Sequence, residues 1–302
     1  MHPFRFGVSG GRATRTEWLD LARKAEDLGY STLLLPDHFG QQVAPLPALL
    51  AAAMATQRLR VGTIVLDNDF RHPALLAKEA ATIDLMTDGR LELGIGAGWM
   101  EADYRWSGLP FDPPGVRVAR LEEAVHILKA FFTADGPITF EGRYYRIDGL
   151  QPFPQRRPKL LIGGSRRRML QLAAREADIV GLEDHQFADR ASGNAPVAAN
   201  SAEQARIVRK AAGARFAELE LNIFTARVEI TDQRSSVLEE LARQLNLAPG
   251  QVAGSTSFLV GSEQSIVDQL LEWRETIGIS YVMVFDRVMD AFAPIVARLS
   301  GV

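Results

Sequence analysis

The sequence predicts a (β/α)8 TIM barrel with insertions in the loops after the strands, formed by a single domain over residues 1–302. Strands and helices are predicted to alternate about eight times, which is the repeat of this fold. The predicted strands are continuous apolar runs, as parallel strands buried on both faces require. An open, doubly wound sheet is disfavoured because Gly94, Gly96 and Gly98 follow the fourth strand and lack the G-x-G-x-x-G spacing.

The first four strand–helix units are marked by helix start and stop signals. Thr14 and Glu17 have the spacing of a capping box at the start of the first helix, and Gly29 ends that helix. Pro73 suits the first turn of the third helix. A polar, aromatic loop is expected after Trp99. The strands are predicted at residues 4–8, 32–35, 61–66 and 91–95.

The second half begins with an amphipathic helix over residues 116–132, in which Leu121, Val125 and Leu128 recur at steps of three and four. Residues 138–147 alternate in polarity and predict a β-hairpin outside the repeat. The remaining strands are predicted at residues 160–162, 179–182, within 221–230 and at 281–285, with irregular segments at 183–200 and 249–257.

Composition narrows the class of protein. The net charge of −3 gives no field that would attract nucleic acid or an anionic membrane. There is no cysteine, which excludes disulfides and thiolate metal sites and fits a reducing compartment. The first predicted strand begins close to the first residue, and no apolar run is long enough to span a bilayer, so neither a signal peptide nor a membrane segment is expected. We therefore expect a soluble, cytoplasmic protein.

In a barrel of this kind the active site lies where the strands end, and this rule alone nominates candidate residues. His38 follows the second strand and is the leading candidate for a general acid or base. Asp37 points the other way in an extended chain, so it is not assumed to orient His38. His185 is a second candidate, whereas His72 is expected to be structural and His126 to lie on the surface. The strand ends are at residues 9–10, 37–38, 67–69, 96–99, 163–166, 183–185 and 286–287.

Two features favour a bound cofactor. The glycines at 94, 96 and 98 clear one face of a strand end and, with Trp99, suit a planar ligand. Gly163, Gly164 and Ser165 open a helix whose amides can hold a phosphate, and three arginines follow them. The alternative there is a solvated turn capped by Ser165. Because the sequence has no P-loop, nucleophile elbow or metal-spaced His/carboxylate cluster, a cofactor that supplies the chemistry is favoured.

The chain resembles the bacterial luciferase-like superfamily of flavin- and deazaflavin-dependent oxidoreductases, and most closely its branch that uses coenzyme F420. The resemblance covers most of residues 1–180 in collinear order and is looser in the last third. The matching segments are Pro36-Asp37-His38, residues 61–66, 68–73, 80–84, 89–99 and 120–123, and Pro158 to Ser165.

The resemblance implies site roles. Ile64 and Val65 are implied to form a cis peptide against the deazaflavin ring, His38 to lie near the reacting carbon, and Gly163 to Arg166 to hold the phosphate. Because F420 also carries a polyglutamate tail, the arginines at 166–168 suit it. The candidate cofactor-binding residues are Asp37, Ile64, Val65, Asn68, Gly96, Ala97, Gly98, Gly163, Gly164, Ser165 and Arg166, and the candidate substrate contacts are Trp99, His185 and Arg287.

One departure from the family bears on the substrate. The sugar-phosphate dehydrogenases of this branch carry a glutamate where this chain has Trp99, which disfavours sugar-phosphate oxidation and suggests a more apolar substrate. The loops expected to choose the substrate, residues 100–116, 183–200 and 235–257, resemble the family least.

Three functions remain open from the sequence. The first is hydride transfer between F420 and a small organic substrate, with His38 as proton donor or acceptor. The second is a monooxygenase that uses FMNH2 and O2 and depends on a separate reductase. The third is a non-catalytic barrel that binds a flavin. The resemblance implies a homodimer, and the net charge and hydropathy predict that neither nucleic acid nor a membrane is a partner.

Overall fold

The computed structural model describes residues 2–11, 14–184 and 200–302. It confirms the predicted fold class, a closed parallel (β/α)8 barrel. The strands are β1 Arg5–Ser9, β2 Thr32–Leu35, β3 Arg60–Thr63, β4 Leu66–Asp67, β5 Leu91–Gly96, β6 Ile138–Glu141, β7 Arg146–Leu150, β8 Lys159–Gly163, β9 Ile179–Leu182, β10 Glu220–Phe224, β11 Arg227–Ile230, β12 Phe258–Gly261 and β13 Ile279–Phe285. The helices are α1 Arg15–Asp27, α2 Pro45–Met54, α3 Pro73–Met86, α4 Glu101–Ser107, α5 Pro114–Thr133, α6 Arg167–Glu176, α7 Ser201–Ala212, α8 Arg234–Leu245, α9 Pro249–Ala253, α10 Glu263–Thr276 and α11 Met289–Leu299.

The barrel sheet has the strand order β3-β2-β1-β13-β10-β9-β8-β5, and β5 pairs with β3 to close it. The strand predicted at 61–66 is interrupted: β3 and β4 both lie along β5, but residues 64 and 65 belong to neither. Gly62 pairs with Glu92 and Leu66 with Ile95, so this strand uses one residue more than β5 over the same stretch. The interruption is therefore a bulge beside the strand ends.

The chain divides into two compact units. The first unit comprises Met1–Gly10, Lys24–Thr32 and Gly163–Val302, and the second unit comprises Gly11–Arg23 and Leu33–Ile162. The prediction of one domain over residues 1–302 stays a prediction.

Helix signals read from the sequence are confirmed in the second unit. The Glu17 N–H donates to Thr14 Oγ1 at 3.3 Å and the Thr14 N–H donates to Glu17 Oε2 at 3.2 Å, which completes the capping box. His72 caps α3 by accepting the Ala74 N–H, which confirms its structural role. The buried face of α5 contains Leu121, Ala124, Val125, Leu128 and Phe132, as its periodicity predicts, and His126 is exposed.

The first unit is anchored by a buried ion pair. Arg5 Nε and Nη2 donate to the two carboxylate oxygens of Glu220 at 2.6 and 2.7 Å. The Arg5 guanidinium also lies 3.5 Å from the centroid of the Tyr281 ring. Because Glu220 is almost fully buried, it needs this partner, and the pair fixes β1 against β10.

Some predicted loops contain helices. The loop predicted at 100–116 contains α4, which ends at Gly108 in the left-handed conformation. The segment predicted to be irregular at 249–257 contains α9, which begins at Pro249. These helices have seven and five residues, too short for periodicity to distinguish them from a turn. The predicted hairpin is confirmed as the antiparallel pair β6–β7.

No helix in the described ranges combines the length and the hydropathy needed to cross a membrane.

Candidate functional site

The candidate site of the second unit is built on the residues that follow β2, β4 and β5. His38 comes after β2, and its Nδ1 lies 2.7 Å from Asp103 Oδ2, on α4. The other Asp103 oxygen accepts the Phe39 N–H at 3.0 Å. Asp103 is 2% exposed, so α4 holds both its carboxylate and the chain after β2 in one arrangement.

This contact decides which nitrogen of His38 is available. A carboxylate only accepts hydrogen bonds, so Nδ1 carries a proton and Nε2 is the remaining acceptor. Among the described residues, Nε2 has no hydrogen-bond partner, and the His38 side chain is 28% exposed. The Trp99 ring meets the His38 ring edge-on with centroids 5.6 Å apart. His38 is therefore oriented on one side and open on the other, which is what an acid or base needs.

Asp37 is occupied by other partners. Both oxygens of its carboxylate accept hydrogen bonds from the Arg71 guanidinium. One of them also accepts the Asp67 N–H at 3.2 Å. Asp37 therefore ties β4 to the end of β2 and does not orient His38, in agreement with the sequence interpretation.

A cluster of carboxyl groups, formed by Asp67 and Asp69 around the Tyr104 hydroxyl, lies at the end of β4. The Tyr104 hydroxyl lies 2.9 Å from Asp67 Oδ1 and 3.1 Å from Asp69 Oδ2. Burial raises the pKa of Asp67 to about 6, opposed by hydrogen bonds from the Asp69 N–H and Tyr104 and supported by the charges of Asp69 and Asp37. Burial also raises the pKa of Asp69, which the Arg120 guanidinium opposes. Asp67 is thus a buried carboxyl whose pKa lies above its ordinary range.

Asn68 and the loop after β5 are held by neighbouring side chains. The Asn68 amide donates to Asp69 Oδ1 at 3.3 Å and to the Tyr145 hydroxyl at 3.2 Å. Arg117 of α5 donates to the carbonyls of Ala97 and Gly98 and lies 4.2 Å from the centroid of the Phe111 ring. These contacts fix the loop between β5 and α4.

Two of the glycines that were predicted to clear space for a planar ligand, Gly94 and Gly98, have no room for a side chain because other atoms of the protein lie against them. A side chain at Gly94 would collide with the Thr63 carbonyl, and the Thr63 hydroxyl bonds the Gly94 amide at 2.8 Å. Gly98 has a φ of +72°, and a Cβ there would meet the Asp67 carboxyl and the Tyr104 hydroxyl. The peptide bond between Ile64 and Val65 is cis, as the resemblance implies.

The anion site predicted in the first unit lies between β8 and α6. Gly163 ends β8, and the Gly164 N–H donates to the Gly181 carbonyl at 3.2 Å. Ser165 does not cap the helix: Arg166 is the N-cap and makes no side-chain cap. The cap that the alternative gave to Ser165 is therefore wrong, and the anion site itself stays a prediction.

The remaining predicted substrate contacts fall in different settings. Trp99 is 61% exposed beside His38. Arg287, in the first unit, donates to the Ala226 carbonyl at 3.0 Å and lies over the Phe285 ring. His185 lies outside the described residues. In the described part of the chain, no group of three or more His, Cys, Asp or Glu side chains is arranged to hold a metal ion.

Asp103, Tyr104 and Arg117 were not predicted as site residues. All three lie beyond the strand end itself, in α4 and α5, and the strand-end rule stops before them. A signal was present in the sequence, because Asp103 and Tyr104 stand side by side within a polar, aromatic segment.

The chain is similar in sequence to oxidoreductases and monooxygenases of known activity. The F420-dependent glucose-6-phosphate dehydrogenase of Nakamurella multipartita is 35% identical over 188 residues, 58% of this chain and 55% of that protein. The FMNH2-dependent dimethylsulfone monooxygenase of Pseudomonas fluorescens is 35% identical over 192 residues, 57% of this chain and 51% of that protein. The matches thus span about half the length of these relatives.

A solved structure described as an F420-dependent secondary alcohol dehydrogenase in complex with an F420–acetone adduct has the same fold. It superposes with a TM-score of 0.77 at 18% identity and covers 99% of both chains. The model of the luciferase-like monooxygenase family matches residues 1–280. The chain therefore belongs to the luciferase-like monooxygenase family.

Proposed function

We propose that the protein is an F420-dependent oxidoreductase that transfers a hydride between the deazaflavin and a small organic substrate. The observation that carries the proposal is the His38–Asp103 pair, in which one imidazole nitrogen is held by a buried carboxylate and the other is open. Family membership and the F420-dependent relative support the choice of cofactor. When bound, the deazaflavin supplies hydride acceptance or donation.

The residues present fit such a cofactor. The end of β8 and the start of α6 combine the amides of a helix N-terminus with exposed Arg166 and Arg167, a donor set suited to a phosphate. We assign the phosphate to Gly163, Gly164, Ser165 and Arg166. Within the second unit, we assign the ring to Ile64, Val65, Asn68 and Gly96 to Gly98, next to Asp37.

The protein's own contribution to the reaction is made at His38. Asp103 keeps the proton on Nδ1, so Nε2 can accept the proton that a substrate alcohol loses as its hydride leaves. In the reverse direction the same nitrogen returns the proton to a carbonyl oxygen. This is general acid–base catalysis by an oriented imidazole, a contribution of about 10²–10⁴ in rate.

The exposed aromatic side chains in the segments around His38 favour an uncharged substrate. Trp99, Phe39 and Trp106 are 61%, 47% and 59% exposed in this segment. Arg71 and Arg117, which border the site, are already bonded to Asp37 and to backbone carbonyls. We therefore propose that Trp99 contacts an apolar part of the substrate, and that a sugar phosphate is disfavoured. His185 and Arg287 remain candidate substrate contacts.

The second candidate function is an FMNH2-dependent monooxygenase supplied by a separate reductase. It is favoured by the FMNH2-dependent relative, which is as similar to this chain as the F420-dependent one. The residues assigned to the phosphate and to the ring would also suit FMN, which has both groups.

Titration of the apoprotein with F420 and with FMN tests the proposal. We expect saturable F420 binding, and F420 reduction on addition of a secondary alcohol. Micromolar FMN binding without F420 affinity would reverse the order of the two functions. Tight binding of either cofactor with no turnover of any alcohol, ketone or O2-dependent substrate would favour the non-catalytic barrel.

We also propose a homodimer in the cytoplasm. Exposed Met54, Leu75, Leu85 and Met86 form apolar positions on α2 and α3 that a second copy could cover. The absence of cysteine supports a reducing compartment. Sedimentation equilibrium is expected to give twice the monomer mass, and a charge at Leu75 (Leu75→Glu) is expected to halve it. A monomer at all concentrations would reject the dimer.

A further inference from the structure

The carboxyl group of Asp67 is the part of the site to which the mechanism above gives no role. Asp67 is the last residue of β4, two positions after Val65, and it pairs in register with Gly96 of β5. Its side chain is 8% exposed and its carboxyl lies against the Cα of Gly98. The carboxyl thus borders the segments to which the ring is assigned, and this inference rests on that proposed function.

The two oxygens of Asp67 are not equivalent. Oδ1 lies 3.0 Å from the Asp69 N–H and 2.9 Å from the Tyr104 hydroxyl. Oδ2 accepts no hydrogen bond from the described residues, and it is the atom nearest to a Cβ built on Gly98. Oδ1 faces the Asp69 N–H and the Tyr104 hydroxyl, whose single proton is shared between Asp67 and Asp69. A proton carried on Oδ2 is therefore the one that can be donated to a ligand.

Asp37 and Asp69 each have an arginine partner, whereas no ion pair is found for Asp67 among the described residues. Asp37, from the end of β2, has Arg71, and Asp69, from the turn after β4, has Arg120 of α5. The other charged and titratable groups are Arg117 of α5, which acts on Asp69 and lies 5.9 Å from the centroid of the Tyr104 ring, and the phenols of Tyr104 on α4 and of Tyr145, which reaches the cluster through Asn68. Asp67 makes no ion pair within the described residues. Ionisation of Asp67 therefore adds a buried charge that no cation neutralises.

We propose that Asp67 Oδ2 contacts the ring of the bound cofactor and that Asp67 takes up a proton when the reduced ring binds. A reduced flavin or deazaflavin ring is readily anionic, and an ionised Asp67 would repel it. The neutral carboxyl instead donates a hydrogen bond to a ring nitrogen or carbonyl oxygen. The chemistry is shared by F420 and FMN, since both rings present the same pyrimidine edge.

The size of the effect follows from linkage. In the free protein the Asp67 carboxyl, with its pKa near 6, is about nine-tenths ionised at pH 7, so binding that requires the neutral form takes up about 0.9 proton per site. Between pH 5.5 and 7.5 the dissociation constant of the reduced cofactor would rise about 25-fold for the same reason.

The test is anaerobic calorimetric titration of the whole protein with reduced F420 and with reduced FMN. Each titration is run at pH 7 in two buffers of different ionisation enthalpy, which gives the number of protons taken up. Wild type is expected to take up about 0.9 proton and Asp67→Asn close to none, because the amide donates without a proton from solvent. Titration of the ring itself is common to both variants and cancels in their difference.

Asp69→Asn is the matched control. It removes a buried carboxylate from the same cluster, but one that is paired with Arg120, so proton uptake is expected to persist. Equal uptake by wild type and Asp67→Asn, or no uptake by wild type, would overturn the inference while cofactor binding stands. Failure of both cofactors to bind wild type would instead reject the proposed function and the inference with it. Circular dichroism of each variant confirms folding.

Discussion

At the scale of single residues, the hydrogen-bond partners of the buried carboxylates determine how the candidate site is arranged. Asp103 is buried and is satisfied by His38 and the Phe39 amide, so its role is to position the imidazole. Asp37, although adjacent to His38 in sequence, is satisfied by Arg71. His38 could be predicted from its position after a buried strand, but its partner could not, because the partner is 65 residues away.

Substitution of Asp103 is expected to slow turnover without weakening binding. Asp103→Asn keeps the size of the side chain but no longer holds the proton on Nδ1, so kcat should fall at least about tenfold while KM and the cofactor dissociation constant stay unchanged. Steady-state kinetics and cofactor titration check this. Asp103→Glu should recover part of the loss, and Glu101→Gln, exposed on the same helix, should have no effect. A change in KM alone would contradict a positioning role.

The raised pKa of Asp67 predicts how stability depends on pH. Its pKa is about 6 in the folded protein and about 4 in the unfolded chain, so between these values the folded state binds the proton more tightly. Its contribution to the free energy of unfolding is therefore full below pH 4 and is lost as the pH rises through 6. The free energy of unfolding of Asp67→Asn, measured relative to that of wild type, should therefore increase by about 2 kcal/mol as the pH is raised from 4.5 to 7.5.

Urea unfolding at both pH values measures that difference, with Asp20→Asn, an exposed carboxyl, as control. A pH-independent difference between Asp67→Asn and wild type would show that Asp67 ionises normally in the folded protein.

At the scale of elements, α4 organises the second unit's site. Its seven residues place Asp103 on the chain after β2 and Tyr104 on the carboxyls after β4, so a single helix joins two neighbouring strand ends. Arg117 of α5 holds the loop that leads into it. The sequence predicted a loop here because seven residues carry too little periodicity. The longer α5, with its four-turn apolar face, was predicted correctly.

The close packing under α4 predicts different costs for two similar substitutions. Gly98 and Gly108 have φ values of +72° and +74°, but only Gly98 has neighbours that a Cβ would meet. Gly108→Ala should cost about 1 kcal/mol from the backbone alone. Gly98→Ala should cost about 1–3 kcal/mol more, because it displaces Asp67 and Tyr104, and should weaken cofactor binding. Urea unfolding compares them, and equal losses would contradict the packing described here.

At the scale of the whole molecule, the fold class followed from alternating apolar and amphipathic segments, and the barrel confirms it. The interruption between β3 and β4 could not be predicted, since residues 61–66 read as one apolar run and the extra residue is visible only in the pairing with β5. The glycines at 94 and 98 were predicted to clear space for a planar ligand; what the structure shows at both positions is close packing within the chain.

The prediction of one domain over residues 1–302 can be tested by unfolding. A closed barrel has no free edge at which part of the sheet could separate, so one cooperative transition is expected. Far-UV circular dichroism and tryptophan fluorescence should then give coincident urea curves. Two separated transitions would show that the two compact units are independent domains.

The most direct test of the account is the rate of a single hydride transfer in wild type and in His38→Asn. Both proteins are loaded with F420 under anaerobic conditions and mixed with excess secondary alcohol, and loss of the deazaflavin's visible absorbance is followed by stopped flow. We expect His38→Asn to bind F420 as wild type does and to react at least about 100-fold more slowly. An equal rate in the two proteins would contradict a catalytic role for His38.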